Sequence, residues 1–308
     1  MNETRRRVLA ALADGPVAGP ALADDLGVSR AAVWKHVEAL REEGFEIPDS
    51  TDGYTLEAVP EYGGAAVEFG LDAAVDVEFH EELDSTNARA RELAGAGAED
   101  VVVVAARQSG GRGRLDREWS SPDGGIYASV VLRPDVPPAS APAYTLAAAV
   151  AVAETARELG VDAHIKWPND VLVGEDERKL CGILTEMEGE ADRVSWVVVG
   201  IGINVNVGAA DLPETATSVQ EQVGPVSRRA FLQGVLERFD ALCGDLESVV
   251  PRWRELSSTL GREVRVETPG GAVEGRATDI EFPGTLLVET DDGVERVTAG
   301  DCEHLRPT

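Results

Sequence analysis

VVVVAARQSGGRGRLDREWSSPDGGIYASVVL, residues 101–132, sets two apolar β-prone runs, Val101 to Ala106 and Ile126 to Leu132, on either side of a Gly- and Arg-rich stretch. The flanks mark that stretch as a structured loop between strands, not a tail. Gly110, Gly111 and Gly113 let the backbone turn through conformations closed to other residues and bring N–H groups near a ligand. Arg112, Arg114 and Arg117 match phosphate and carboxylate geometry, so the loop reads as a cradle for a phosphate or an adenylate.

The loop stands out because the chain around it is acidic, with formal charge −28 from 56 acidic and 28 basic residues. Its only lysines are Lys35, Lys166 and Lys179. This is the composition of a cytosolic protein from a salt-accumulating halophile, where molar salt shortens the Debye length to about 3 Å and self-repulsion is tolerable. Where lysine is disfavoured, the three that remain invite functional roles. A length of 308 residues at 43% hydrophobic fills a core and suggests two or three domains. There is no apolar run of roughly 18 residues and no secretory leader, so a soluble, cytoplasmic protein is expected. Cys181, Cys243 and Cys302 are far apart and read as small buried residues. His36, His80, His164 and His304 are equally scattered, and no structural metal is expected.

The predicted fold class is α+β in three domains. Residues 1–57 read as three helices and a hairpin, a winged helix-turn-helix. Ser29 caps the third helix, SRAAVWKHVEALREEG, and FEIPDSTDGYTL forms the wing across Asp52-Gly53. In that motif the start of the third helix enters the major groove, here through Ser29, Arg30, Val33, Lys35 and His36. Six Lys/Arg face eleven Asp/Glu in this domain, so a role confined to dimerisation or protein contacts stays open. EAVPEYGGAAV reads as a linker into a mixed α/β domain over 66–258, with strands in DVEFHEEL, VVVVAA, IYASVVLR, AHIKWP, DVLV, KLCGILTEM and WVVVGIGINV. Residues 261–308 repeat short strands and Gly turns, the pattern of a small SH3-like β-barrel.

Further motifs follow in order: DSTN at 84–87, IKWPND at 165–170, RKLCGILTEM at 178–187 and WVVVGIGINVNV at 196–207. With the GRGR loop they resemble the biotin protein ligases over nearly the whole chain. LGVSRAAVWKHVEALREEG is similar to the winged helix of the bifunctional members, which also repress the biotin operon. The resemblance implies a central domain of the class II synthetase-like type. It also implies a two-step reaction in which biotin and ATP give biotinyl-5′-AMP, from which a lysine of a biotin carboxyl carrier domain takes the biotin. Neither step needs an enzyme nucleophile; both need positive charge where phosphoryl and carboxyl oxygens gain negative charge.

By the resemblance, Lys166 meets the reacting carboxylate and α-phosphate, and Arg112 and Arg114 complete the catalytic set. Ser85, Thr86, Asn87, Gln108, Arg112, Gly113, Arg114 and Lys166 are expected around biotin. Arg112, Arg114, Arg117, Trp119, Lys179 and Asn204 are expected around ATP, with Asp170 and Asn204 as candidates to orient its Mg²⁺. A neutral urea with two donors and one acceptor suits hydroxyl and amide side chains, although DSTN also reads as a helix cap. Trp119 and Trp167 read as core packing, or as walls for adenine or biotin. GAADLPETATSVQEQVG sits where the family has a loop that orders on adenylate. Leu115-Asp116 departs from the Arg-Gly of several relatives, and Arg117 could pair with Asp116.

The implied partners are a carboxylase carrier domain, operator DNA upstream of biotin genes, and a second copy of the chain when biotinyl-AMP is bound. The alternatives are a lipoate or octanoyl ligase, and a non-catalytic transcription factor that senses biotinyl-AMP.

Overall fold

The computed structural model describes residues 1–305, with Asp116 described through its backbone alone. The chain divides into two compact units, Met1–Asp72 and Ala73–Thr308.

In the first unit, α1 (Glu3–Ala13), α2 (Gly19–Leu26) and α3 (Arg30–Glu42) precede a two-strand wing, β1 (Asp49–Ser50) and β2 (Gly53–Tyr54). Ser29 Oγ accepts from Ala32 N at 3.2 Å, a cap that contributes about 1 kcal/mol. At Gly53, with φ +122°, a Cβ would lie 2.2 Å from the Val17 carbonyl oxygen, so the wing can dock on the start of α2 only with glycine there. Val8, Leu9, Leu12, Leu22, Val33, Val37 and Leu40 form the core of this unit. Val33, expected among the DNA readers, is therefore a packing residue, because its side chain faces α1 and α2. Ser29, Arg30 and Lys35 are exposed and His36 half-buried, and the neighbouring Trp34 is 54% exposed.

The stretch read as a linker is partly folded. A short helix, α4 (Gly64–Glu68), follows it, and Val59, Ala65 and Phe69 pack against the N-terminal core. Phe69 meets Phe45 edge-on with centroids 6.4 Å apart, and Glu68 binds the Met1 amino group at 2.5 Å.

The second unit is built on a seven-stranded sheet. In chain order its elements are β3 (Asp76–Leu83), α5 (Thr86–Gly95), β4 (Val101–Gln108), β5 (Ile126–Leu132), α6 (Pro142–Glu158), β6 (Ala163–Lys166), β7 (Asp170–Val173), β8 (Arg178–Gly189) and β9 (Val194–Ile203). Spatial order is β3-β4-β5-β9-β8-β7-β6. Only β3 and β4 run parallel, joined by the α5 crossover. Successive strand residues face opposite ways, and β8 shows which helix covers which face. Glu186 is bonded by Asn87 of α5, whereas Thr185 Oγ1 lies 2.8 Å from Thr145 Oγ1 of α6. The Ala-rich α6 is buried almost all round, between this sheet and the later helices α8 (Arg228–Cys243) and α9 (Val249–Leu256), which follow the short α7 (Val219–Val223).

The chain ends in a five-stranded antiparallel sheet: β10 (Glu263–Thr268), β11 (Gly271–Glu281), β12 (Thr285–Thr290), β13 (Gly293–Val297) and β14 (Asp301–His304), ordered β13-β12-β11-β10-β14. Val264, Val266, Ala277, Ile280, Leu286 and Val288 fill its interior.

A chain beginning at Ala73 is expected to melt as cooperatively as the parent's second unit, whereas one beginning at Ala58 strands Val59, Ala65 and Phe69 without their core. Thermal unfolding of the two truncations checks this. Equal midpoints with no aggregation of the longer one would show that residues 58–72 do not depend on the N-terminal core.

Candidate active site

One cavity of about 250 Å³ gathers Ser85, Thr86, Asn87, Gln108, Arg112, Gly113, Arg114, Arg117, Trp119, Asp170, Lys179 and Asn204. Lys166 is not among its lining residues.

The polar end is set by the start of α5, where Ser85 Oγ accepts from Ala88 N at 3.4 Å as helix cap. Thr86 N donates to Gln108 Oε1 at 2.8 Å, and Gln108 Nε2 donates to Ser121 Oγ at 2.9 Å. Asn87 Nδ2 donates to Glu186 Oε2 at 2.8 Å and to the Leu184 carbonyl at 3.2 Å. Such close approach of α5 to the sheet is possible because Gly200 has no side chain: a Cβ there would lie 2.0 Å from Asn87 Oδ1.

The arginine loop folds back on itself, with Gly113 N bonded to Arg117 O at 2.8 Å and Trp119 N to Gly111 O at 2.9 Å. Its glycines serve differently from the expectation. None of Gly110, Gly111 and Gly113 has positive φ; the left-handed residue is Leu115, at φ +56° and 72% exposed. Gly110 and Gly111 are required by crowding, since a Cβ would lie 2.0 Å from Asp84 Oδ1 and 2.5 Å from Trp119 O respectively. Arg114 points inward and donates to Asn169 Oδ1 at 3.0 Å and to the Gly300 carbonyl at 2.7 Å. Burial lowers its pKa, against the opposing pull of Asp301 and Asp170. Arg117 pairs with Asp301; its expected pairing with the Asp116 side chain lies outside what the structure describes. Arg112 stays exposed at the mouth.

Trp119 lies across the sheet floor, where a Cβ on Gly202 or Gly182 would come within 2.7 or 2.9 Å of its ring. Its indole Nε1 is buried without a partner among the described residues, and Lys179 Nζ sits 5.3 Å from the ring centroid. Trp167 is instead a core residue, 2% exposed, whose Nε1 donates to the Gly284 carbonyl at 2.9 Å.

Lys179 reaches the cavity through a break in register. Leu172 pairs with Lys179 but Val171 with Cys181, so Leu180 is an extra residue in β8. A bulge of this kind reverses the alternation of the strand and re-aims the side chain before it. Lys179 thereby joins Gly182 and Leu184 at the cavity, and its Nζ lies 2.7 Å from Asp170 Oδ1. Lys166 stands two strands further out, on the edge strand β6, where its charge acts on Cys302 and His304. Asn204 is 2% exposed and donates to the carbonyls of Lys179 and Thr217 at 3.4 and 3.1 Å, which pins the end of β9. With Asp170 engaged by Lys179 and Asn204 by backbone, the pair does not fit a magnesium ion as a protein cage. Among the described residues no group of three or more His, Cys, Asp or Glu is arranged for a metal.

Three family models match the chain: the Biotin/lipoate A/B protein ligase family over residues 81–204, the Biotin protein ligase C terminal domain over 259–305, and an HTH domain over 4–63. The bifunctional ligase/repressor BirA of Bacillus subtilis is 38% identical over 93% of each chain, and that of Escherichia coli 30% identical over 97% of each. The chain belongs to the biotin protein ligase family. A biotin protein ligase from Aquifex aeolicus, solved with biotin and ATP, superposes with a TM-score of 0.64 at 27% identity, covering 74% of this chain and 99% of that one. The motifs that carry the resemblance to the ligases thus surround one cavity, apart from Lys166.

Sequence reasoning missed other members of the site. Asn169, Tyr127 and Asp301 line the cavity, and buried Ser129 lies behind Thr86 and Asn87. Asn169 stood within WPND and was legible there; Ser129 and Asp301 gave no local signal.

The side chain of His304 is enclosed between Glu177, 2.9 Å from Nδ1, and Thr259, 3.0 Å from Nε2. Thr259 Oγ1 also accepts from Trp167 N at 3.0 Å, which links the C-terminal sheet to the KWPND segment. Burial pushes the His304 pKa below the ordinary 6.5, although Glu177 opposes it. The unfolded chain therefore binds more protons here than the folded one, so this contribution to stability is full above that value and lost as pH falls. The thermal midpoint is expected to drop between about pH 7 and pH 5, and His304→Gln to flatten that slope. An unchanged slope in the variant would assign the acid sensitivity to other groups.

Proposed function

We propose that the chain is a biotin–[acetyl-CoA-carboxylase] ligase that joins biotin to a carrier lysine through biotinyl-5′-AMP. The observation that carries this reading is one cavity with a neutral hydrogen-bonding end and a cationic end. Thr86, Asn87 and Gln108 suit a bicyclic urea, whereas Arg112, Arg114, Arg117 and Lys179 suit a carboxylate meeting a triphosphate. A carboxylate oxygen of biotin attacks the α-phosphorus of ATP and pyrophosphate leaves. The neutral amine of the carrier lysine then attacks the acyl carbon, the acyl C–O bond breaks, and AMP departs.

Lys179 takes the role first expected of Lys166, since its ammonium lies inside the cavity beside Asp170 and can face oxygens that gain charge in both steps. Arg114 holds the loop down through Asn169 and Gly300, which keeps water from the mixed anhydride. Magnesium arriving with ATP is carried by phosphate oxygens and water. The hydroxyl- and amide-lined end favours biotin over a lipoyl or octanoyl chain, whose end is apolar. A pure sensor has no use for a preorganised cation at the reacting atoms.

The N-terminal unit supports a second role as a biotin-responsive repressor, because α3 offers Arg30 and Lys35 on an exposed face. Pairing two copies when biotinyl-AMP is bound would set two such helices against two half-sites of an operator.

Lys179→Gln is expected to slow pyrophosphate release from biotin and ATP by at least ~10²-fold, the scale of losing one preorganised charge. Lys166→Gln should cost less than about 10-fold. The reverse ranking would return the catalytic role to Lys166, and no carrier biotinylation by the unmodified protein in concentrated KCl would overturn the ligase reading.

Arg30→Ala combined with Lys35→Ala is expected to abolish binding to the protein's own upstream DNA while sparing ligation. A footprint in concentrated KCl that shows no sequence preference in the unmodified protein, with or without biotinyl-AMP, would remove the repressor role.

A further inference from the structure

Thr86 stands between two chains of hydrogen bonds whose far ends can only accept. On one side the Glu186 carboxylate takes Asn87 Nδ2 at 2.8 Å and the Leu184 carbonyl takes it at 3.2 Å. That fixes the carboxamide with Oδ1 turned to Ser129, and because Oδ1 has no proton, the 2.6 Å contact is a donation from Ser129. Ser129 has one proton and spends it there, so its oxygen faces Thr86 Oγ1, 2.8 Å away, as an acceptor.

On the other side Ser121 Oγ donates to the Trp119 carbonyl at 3.2 Å and accepts from Gln108 Nε2 at 2.9 Å. Gln108 Oε1 is thereby turned to Thr86, taking its backbone N–H at 2.8 Å and lying 3.1 Å from its hydroxyl. The Thr86 hydroxyl thus meets an acceptor on each side, and its single proton is committed whichever it serves. Among the described residues no donor reaches Thr86 Oγ1, which lines the cavity with lone pairs open.

We infer that Ser129 and Glu186 are positioning residues that hold Thr86 as a hydrogen-bond acceptor toward the cavity, so that the site selects a ring presenting N–H at that point over one presenting a lone pair. The inference rests on the biotin reading for its ligand, whose ureido ring carries two N–H groups. Ser129 is fully buried on β5 between Ala128 and Val130. A serine that served packing alone could be alanine; one that sets polarity cannot. A ligand offering an oxygen to Thr86 places two acceptors face to face, or forces the hydroxyl to give up its partners, at a cost of roughly 10- to 100-fold in affinity.

The test is calorimetric binding of biotin and of two cyclic carbamate analogues, each with one ureido N–H replaced by a ring oxygen. The unmodified protein is expected to bind one carbamate roughly 10- to 100-fold more weakly than biotin. Thr86→Val should weaken biotin but not that carbamate. Ser129→Ala leaves the hydroxyl only its longer contact to Gln108 and should narrow the discrimination at least threefold, and Ser129→Thr should restore it. Glu186→Gln, at a half-exposed position that creates no core cavity, should narrow it in the same direction, and it decides the matter if Ser129→Ala fails to fold. Folded Ser129→Ala and Glu186→Gln proteins that discriminate as the parent does would overturn the relay alone. Failure of the unmodified protein to bind biotin would overturn the biotin reading and the ligand assignment with it.

Discussion

The catalytic unit depends on a patch of sheet with no side chains. Gly182 and Gly202 pair across β8 and β9, and Gly200 follows two residues along. The start of α5 presses onto Gly200 and Trp119 lies over the other two, each closer than any Cβ permits. Two walls of the cavity are referenced to this bare floor. Asn87 is set by its contact with the sheet, Thr86 by Ser129 behind it, Gln108 by Thr86 and Ser121, and the arginine loop by the tryptophan that ends it. A methyl group at Gly200 or Gly202 would lift two walls of the cavity at once. Cross-strand hydrogen bonds alone could not hold such a geometry, because β pairing fixes backbones and leaves the surface above them to side-chain volume.

The fold was largely legible because its signals are local. Val101 to Ala106 and Ile126 to Leu132 are apolar runs with a polar loop between them, and both became central strands. Ser29 and Gly53 punctuate the N-terminal unit where capping and turn chemistry place them. The folding of residues 64–68 was not legible, since a five-residue helix has too few turns for periodicity, and Pro60 with paired glycines looks like a break. Val33 was misread for a related reason. A motif assigns the start of a helix to the groove, but only the packing of α1 and α2 shows which of its side chains turn inward.

In the site, residue types were legible and their directions were not. The loop arginines, the DSTN segment and Lys179 stood out by chemistry and spacing. The choice between Lys166 and Lys179 turns on one bulged residue, Leu180, and no spacing rule in the sequence encodes a register shift. The glycines of the GRGR loop show the same limit. Glycine was read as freedom to turn, whereas at Gly110 and Gly111 it is room for a neighbour, and the unusual backbone angle falls on Leu115.

The reach of Arg114 changes what the C-terminal sheet is for. Its guanidinium spans from the loop over the cavity to the Gly300 carbonyl, immediately before β14, while Arg117 pairs with Asp301 on that strand. The C-terminal sheet therefore acts as the frame against which the loop over the cavity is held. Ribosomal synthesis makes that frame after the sheet and the loop. A nascent or prematurely terminated chain carries the whole seven-stranded sheet and its cationic loop, yet nothing for the loop to shut against, and an anhydride formed there would be free to react with any nearby amine. Under the ligase reading proposed above, the order of synthesis is thus itself a safeguard, since the residues that would confine the reactive intermediate emerge after those that would make it.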